Sequence, residues 1–150
     1  PQIPVYYSGP LDKLFGYRFG ALPWRSLRFE TEHIERRDFQ GATVVNYTDA
    51  DIPYTRIHEF KHYHPEAKGA FARPKGTIIT REYPSAWQKG DEPYYPIASE
   101  KSAALLARYQ EEVARLNADG APRLIVGGRL GQYRYFDMDQ SVAAALSVPL

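Results

Sequence analysis

Gly127, Gly128, Arg129 and Asp137 stand close together in GGRLGQYRYFDMDQ, the stretch from Gly127 to Gln140. Their order suits the binding of an anion. Gly127 and Gly128 let main chain approach a ligand closely, and Arg129 can fork onto a phosphate. Asp137 and Gln140 have the three-residue spacing of a helix N-cap with its capping box, and a helix N-terminus favours negative charge. The same residues also suit a plainer reading: a glycine turn, a surface arginine and an ordinary cap.

Three other places offer matching chemistry. In the run Tyr54 to Tyr63, strand alternation puts Tyr54, Arg56, His58 and Phe60 on one face and Thr55, Ile57, Glu59 and Lys61 on the other. Neither face is purely apolar, so Arg56 is a candidate for facing a ligand rather than core or solvent. Pro93 and Pro96 bracket Tyr94 and Tyr95, and the restricted backbone around prolines can hold a phenol rigidly, for a ligand or for packing. Arg18, Arg25 and Arg28 alternate with Leu22, Trp24, Leu27 and Phe29, a pattern that serves a sugar nucleotide or a solvated strand face with stacked guanidinium groups. His58, His62 and His64 would share a strand face if the strand ran that far. No carboxylate completes a ligand spacing, and Pro65 would end the strand, so no metal site is expected.

The elements that must position these groups follow from the apolar pattern. Residues 3 to 7 read as a strand, ended by Ser8-Gly9-Pro10, and a helical turn or loop follows to Gly16. Strand-like alternation covers Tyr17 to Glu32, and Ala42 to Thr48 is rich in β-branched residues, with turn residues from Asp49 to Pro53. Thr77 to Tyr83 is a further strand, and the Pro-, Gly- and Lys-rich span Glu66 to Gly76 before it reads as a mobile loop. Ser99 is placed to cap a helix whose Leu105, Leu106, Tyr109, Val113 and Leu116 form an apolar stripe. Asn117 to Pro122 stops that helix, and Leu124 to Val126 delivers the glycine stretch. The fold class implied is α+β: a mostly antiparallel sheet followed by a helix-strand-loop-helix.

Composition narrows the function classes. The chain has 150 residues, of which 43% are apolar, with 12 Tyr, 7 Phe and 2 Trp, enough for a packed core. A formal charge of +1 provides no general field for nucleic acid or an anionic membrane, which argues against single-stranded nucleic acid binding through the aromatics. With no cysteine there is neither thiolate chemistry nor a disulfide framework, so a cytoplasmic location is the default. No leader and no membrane-length apolar run is visible. The chain opens at Pro1 without methionine, as a stretch taken from a longer protein would.

Four blocks, in order, carry a resemblance: VYYSGPLDKLFGYRFGALPWRSLRFE, FQGATVVNYTDADIPYTRIHEFKH, TIITREYPSAWQKGDEPYYPI and IVGGRLGQYRYFDMDQSVAAAL. Together they resemble the C-terminal part of the bacterial UDP-galactopyranose mutases. The resemblance implies a flavin-dependent isomerase that interconverts UDP-galactopyranose and UDP-galactofuranose through a flavin-sugar adduct, with FAD active in its reduced form. It also implies residues 1–16 and 98–150 as parts of an FAD-binding Rossmann-like domain and 17–97 as an antiparallel sheet domain over substrate and flavin. By motif position Arg56, Tyr95 and Tyr135 match diphosphate-gripping residues, and Asp137 an aspartate near flavin and sugar. Arg129 matches a flavin-contacting arginine, Gly128, Tyr135, Asp137 and Met138 are expected with it among the cofactor-binding residues, and Arg25 and Asn46 match polar active-site positions. The family's N-terminal glycine-rich fingerprint, its helical domain and its loop arginine have no counterpart here, and residues 64–76 and 117–122 depart from the pattern. The stretch alone is therefore expected to be inactive, within a parent enzyme that could be a homodimer. A non-catalytic β module for a nucleotide-sugar or glycan is the alternative.

Overall fold

The computed structural model describes residues 3–64, 75–118 and 123–148. Most of the loop expected at Glu66 to Gly76, and most of the turn expected at Asn117 to Pro122, lie outside them. The chain divides into two compact units, one of Pro1–Arg25 with Trp87–Leu150 and one of Ser26–Ala86. Strands β1 (Val5–Tyr7), β2 (Trp24–Ile34), β3 (Val44–Asn46), β4 (Arg56–Glu59), β5 (Thr77–Ala86), β6 (Tyr95–Pro96) and β7 (Leu124–Val126) are joined by helices α1 (Leu11–Leu14), α2 (Glu100–Leu116), α3 (Gly128–Gly131) and α4 (Met138–Leu146). The result is a mixed helix and strand fold with an antiparallel sheet, and among the described residues no helix is long and apolar enough to cross a membrane.

The first unit is built around aromatic packing. Leu11, Leu22, Trp24, Tyr109 and Tyr133 form its buried cluster, with Phe15, Phe19, Leu105 and Leu130 packed against it. The stripe of α2 explains why Tyr109 points inward, and its hydroxyl is satisfied there by donating to the carbonyl of Gly20 at 2.7 Å. Ser99 caps α2 as its position predicted, although its capping-box partner is Ser102 rather than an acidic residue. At the other end Asn117 reaches forward: its side chain donates to the carbonyl of Leu124 at 2.8 Å and accepts from the Arg123 and Leu124 amides, which fixes the start of β7. That strand runs parallel to β1 with Tyr6 opposite Ile125, so the first and last strands of the chain are neighbours. In the same unit the start of β2 pairs antiparallel with β6, setting Arg25 opposite Tyr95.

Tyr17 to Pro23 are not strand; β2 begins at Trp24 and runs to Ile34. Phe29, read from alternation as one of its apolar residues, is half exposed, whereas Ser26 is buried. The sheet of the second unit has β4 between β3 and β5, and β5 between β4 and β2. Its interior holds Ile57 and Ile79 together with polar residues Glu59, Thr80 and Glu82. On the wet side, the guanidinium of Arg28 lies 4.1 Å from the Tyr83 ring, the stacking expected of an arginine on a solvated strand face.

Glu59 shows how a carboxylate comes to be fully buried here. The amides of Phe39 and Gln40 donate to its two oxygens at 3.1 and 2.9 Å, so the carboxylate clamps the turn before β3. Burial pushes its pKa up, but these amides and the Lys61 ammonium outweigh burial and hold it below the ordinary glutamate value. A depressed carboxylate stabilises the fold above its unfolded pKa of about 4.3, and that contribution is lost as pH falls through the lower folded value. Glu59→Gln is expected to remove about 1–3 kcal/mol, because the new amide nitrogen meets a backbone N–H instead of accepting from it. Thermal melts of wild type and variant from pH 7 to pH 3 should show their midpoints converging on the acid side. A constant gap across that range would show that the charge is not what matters.

Candidate functional site

The stretch from Gly127 to Gln140 folds as strand, short helix, turn and helix. Gly128 adopts φ +73°, which a side chain would strain, and this turns the chain from β7 into α3. A Cβ on Gly131 would lie 2.9 Å from Val126 Cγ1 and 3.1 Å from the Tyr7 carbonyl, so only glycine lets α3 sit this close to β1 and β7. Arg129 is thereby aimed at the loop that follows and at β6. Its Nη1 donates to the carbonyl of Tyr94 at 3.3 Å and its Nη2 to that of Phe136 at 2.6 Å. The guanidinium also lies 4.6 Å from the ring centroid of Tyr135 and 5.5 Å from that of Tyr95. Those two rings stack on each other, centroids 6.0 Å apart and planes 20° from parallel.

One cation and two phenols are thus gathered by residues far apart in the chain. Tyr95 is held by strand pairing, since the amide of neighbouring Tyr94 donates to the Arg25 carbonyl at 3.0 Å. Tyr135 remains half exposed beside it. Asp137 caps α4 and forms the capping box with Gln140, whose side chain accepts from the Asp137 amide at 3.0 Å. Met138 follows with 88% of its surface exposed, an unusual state for an apolar side chain in the first turn of a helix. Arg25, Tyr95, Gly128, Arg129, Tyr135, Asp137 and Met138 therefore all belong to the first unit. The arrangement presents hydroxyl donors, a delocalised cation and an apolar contact to whatever meets it.

Arg56 and Asn46 belong to the second unit, where the strand register puts them directly opposite each other on β4 and β3. On its other side Arg56 faces Glu82 of β5, with Nη1 3.8 Å from the carboxylate. Glu82 is also approached by His58 Nε2 at 3.5 Å and accepts from the Thr55 hydroxyl at 3.4 Å. Among the described residues the buried Arg56 Nε has no hydrogen-bond partner, while 38% of the side chain is exposed. A buried donor left open carries a free-energy cost of about 1–3 kcal/mol, and it is the exposed part of the guanidinium that an incoming anion could meet.

Two contributors escaped the reading of the sequence. Glu82 braces Arg56, but only the β4–β5 register reveals the pairing. Tyr133, a buried residue with φ +50°, has no local signature at all. The three histidines are corrected by the strand's end: β4 stops at Glu59 and a 3-10 turn spans Phe60–Tyr63, so His62 and His64 are not on its face. His62 instead meets Asp38 and Glu59, with ligand atoms of all three within 4.8 Å of one another. The Lys61 ammonium already lies 2.8 Å from Asp38 and 3.3 Å from Glu59, where a cation would sit.

The family model described as UDP-galactopyranose mutase matches residues 2–135. A probable UDP-galactopyranose mutase of Klebsiella pneumoniae is 40% identical over 142 residues, which is 95% of this chain and 34% of the relative. A dTDP-fucopyranose mutase of Escherichia coli is 34% identical, covering 95% of this chain and 35% of its own length. The UDP-galactopyranose mutase of Mycoplasma pneumoniae is 36% identical over 148 residues, again 35% of its length. The chain spans about a third of each of these relatives. With the model matched along nearly all of its length and the quoted blocks falling within or overlapping that match, this chain belongs to the UDP-galactopyranose mutase family.

Proposed function

We propose that this chain supplies diphosphate-binding and flavin-facing residues to a flavin-dependent isomerase of UDP-galactopyranose and UDP-galactofuranose. The observation that carries the reading is the Arg129 guanidinium lying against the stacked phenols of Tyr95 and Tyr135. Breaking the bond between the anomeric carbon and the diphosphate leaves negative charge on the departing phosphate. Phenol and guanidinium donors fixed beforehand stabilise that charge more than they stabilise the intact substrate, which is how they lower the barrier. In the second unit Arg56, with its partly exposed guanidinium, is the corresponding phosphate ligand, and Asn46 opposite it is a polar contact. Arg25, opposite Tyr95, is the other.

The same region fits FAD. Met138 offers an exposed apolar surface, Gly128 a bare backbone, and Arg129 a cation next to them, a donor set suited to a flat anionic ring. When bound, reduced flavin supplies the nucleophile that the reaction needs. Asp137, tied into the capping box, holds the segment from Tyr135 to Met138 in place. Parallel β1 and β7 followed by a glycine turn and helix support assigning residues 1–16 and 98–150 to a Rossmann-like FAD-binding domain; of the sheet domain expected over 17–97, residues 26–86 form the second compact unit, while 17–25 and 87–97 belong to the first.

The test is isomerisation. The intact protein that carries this sequence, given FAD, dithionite and UDP-galactofuranose, should produce UDP-galactopyranose. The 150-residue chain alone should bind UDP at most. Binding of UDP by the intact protein with no conversion would overturn the enzymatic reading in favour of a nucleotide-sugar-binding module.

A further inference from the structure

Helix α3 ends in a way that calls for an explanation. The amide of Arg134 donates to the carbonyl of Arg129 at 3.1 Å, and the next residue inward, Tyr133, takes the left-handed conformation with φ +50°. This is the position after a helix that glycine ordinarily fills, because a Cβ is strained there. A tyrosine in that place is kept only if its side chain does what glycine cannot.

What the side chain does is plain from its contacts. The ring is buried, 8% exposed, with its edge against Trp24 at 4.8 Å. The hydroxyl accepts from the amide of Ile97 at 3.1 Å and is within reach of two carbonyls, those of Pro23 and of Ile97. Pro23 and Ile97 flank the pairing of Trp24 with Pro96, so one phenol grips both strands of the β2–β6 ladder. Along the chain Tyr133 is two residues before Tyr135, and Ile97 is two residues after Tyr95.

We propose that Tyr133 is a positioning residue for sugar-nucleotide binding, its hydroxyl locking the loop that carries Tyr135 to the strand that carries Tyr95 and so fixing the two phenols in one stack. The inference rests on the diphosphate reading given above. Arg129 holds the same two segments through main-chain carbonyls, whereas the Tyr133 hydroxyl reaches the residues that flank both β2 and β6. Burial holds the Tyr133 phenol above its ordinary pKa, so it remains a donor at any pH at which the enzyme is assayed.

Tyr133→Phe in the intact protein removes only the hydroxyl. The KM for UDP-galactofuranose and the dissociation constant for UDP should both rise about 10-fold, with flavin content kept and kcat changed less than about threefold. In a background of Tyr95→Phe with Tyr135→Phe the same change should cost less than about twofold, since there are no hydroxyls left to position. Unchanged KM and UDP affinity, or an undiminished loss in the double-Phe background, would overturn the proposal. Should the Phe variant fail to fold, Ile97→Pro removes the partner amide from the strand side, together with that amide's bond to the Pro23 carbonyl at 3.2 Å, so its effect too must shrink below about twofold in the double-Phe background. It is expected to raise the UDP dissociation constant similarly, and wild-type affinity in that variant would also overturn it. The UDP measurement separates this inference from the functional reading: a wild type that binds UDP without isomerising it sinks the isomerase while leaving Tyr133 testable.

Discussion

Replacing Arg56 with alanine in the intact protein is expected to lower kcat/KM for UDP-galactofuranose by about 10- to 150-fold, the equivalent of one charge-assisted hydrogen-bond partner at about 1.5–3 kcal/mol. The loss has two sources. The Arg56 side chain is 38% exposed, so a phosphate oxygen can meet a guanidinium that is already partly stripped of water. Its Nη1 faces the largely buried Glu82, which braces the side chain without neutralising it fully at 3.8 Å. Arg56→Lys should recover little, because a compact ammonium cannot offer the Nε and Nη donors in a fixed fork. Measured kinetics within twofold of wild type for Arg56→Ala would mean that Arg56 does not meet the phosphate.

The second large effect belongs to Arg129. Arg129→Ala removes the donors to the Tyr94 and Phe136 carbonyls and the cation against both phenol rings at once. Each half-buried carbonyl must then find water, and Tyr95 and Tyr135 lose the group that holds their stack from the side. The expected outcome is a drop in kcat/KM of about 100-fold, near 2.7 kcal/mol, accompanied by reduced flavin retention on gel filtration. Catalytic loss with full flavin occupancy would restrict Arg129 to the diphosphate. Flavin loss alone, with UDP affinity unchanged, would assign it to the cofactor.

Local pattern reached some of this unaided. The period of Leu105, Tyr109, Val113 and Leu116 and the Ser99 cap defined α2, because helix periodicity and capping are short-range and leave a mark in neighbouring residues. The capping box of Asp137 and Gln140 and the turn at Gly128 were legible for the same reason. The family was legible from four long blocks, each far more specific than a motif. Alternation did less well. It kept Phe29 among the apolar residues of β2, whereas the residue is half exposed, and it ran strand alternation through Phe60 to Tyr63, whereas β4 ends at Glu59.

Only the tertiary structure decided which groups meet. Strand register has no signature in one strand's letters, since a slip of one residue preserves the alternation while changing every partner. The pairing of Arg56 with Glu82 and Asn46 is a register fact of that kind. Arg129 reaches Tyr95 because α3 closes down on β1 and β7, a contact between segments more than thirty residues apart. The left-handed turn at Tyr133 is hidden for a related reason: locally it is unfavourable, and it persists because Pro23, Trp24 and Ile97, distant in sequence, hold the side chain. The residue types that could bind a phosphate were written in the sequence; their convergence depends on long-range packing, which no stretch of it encodes alone.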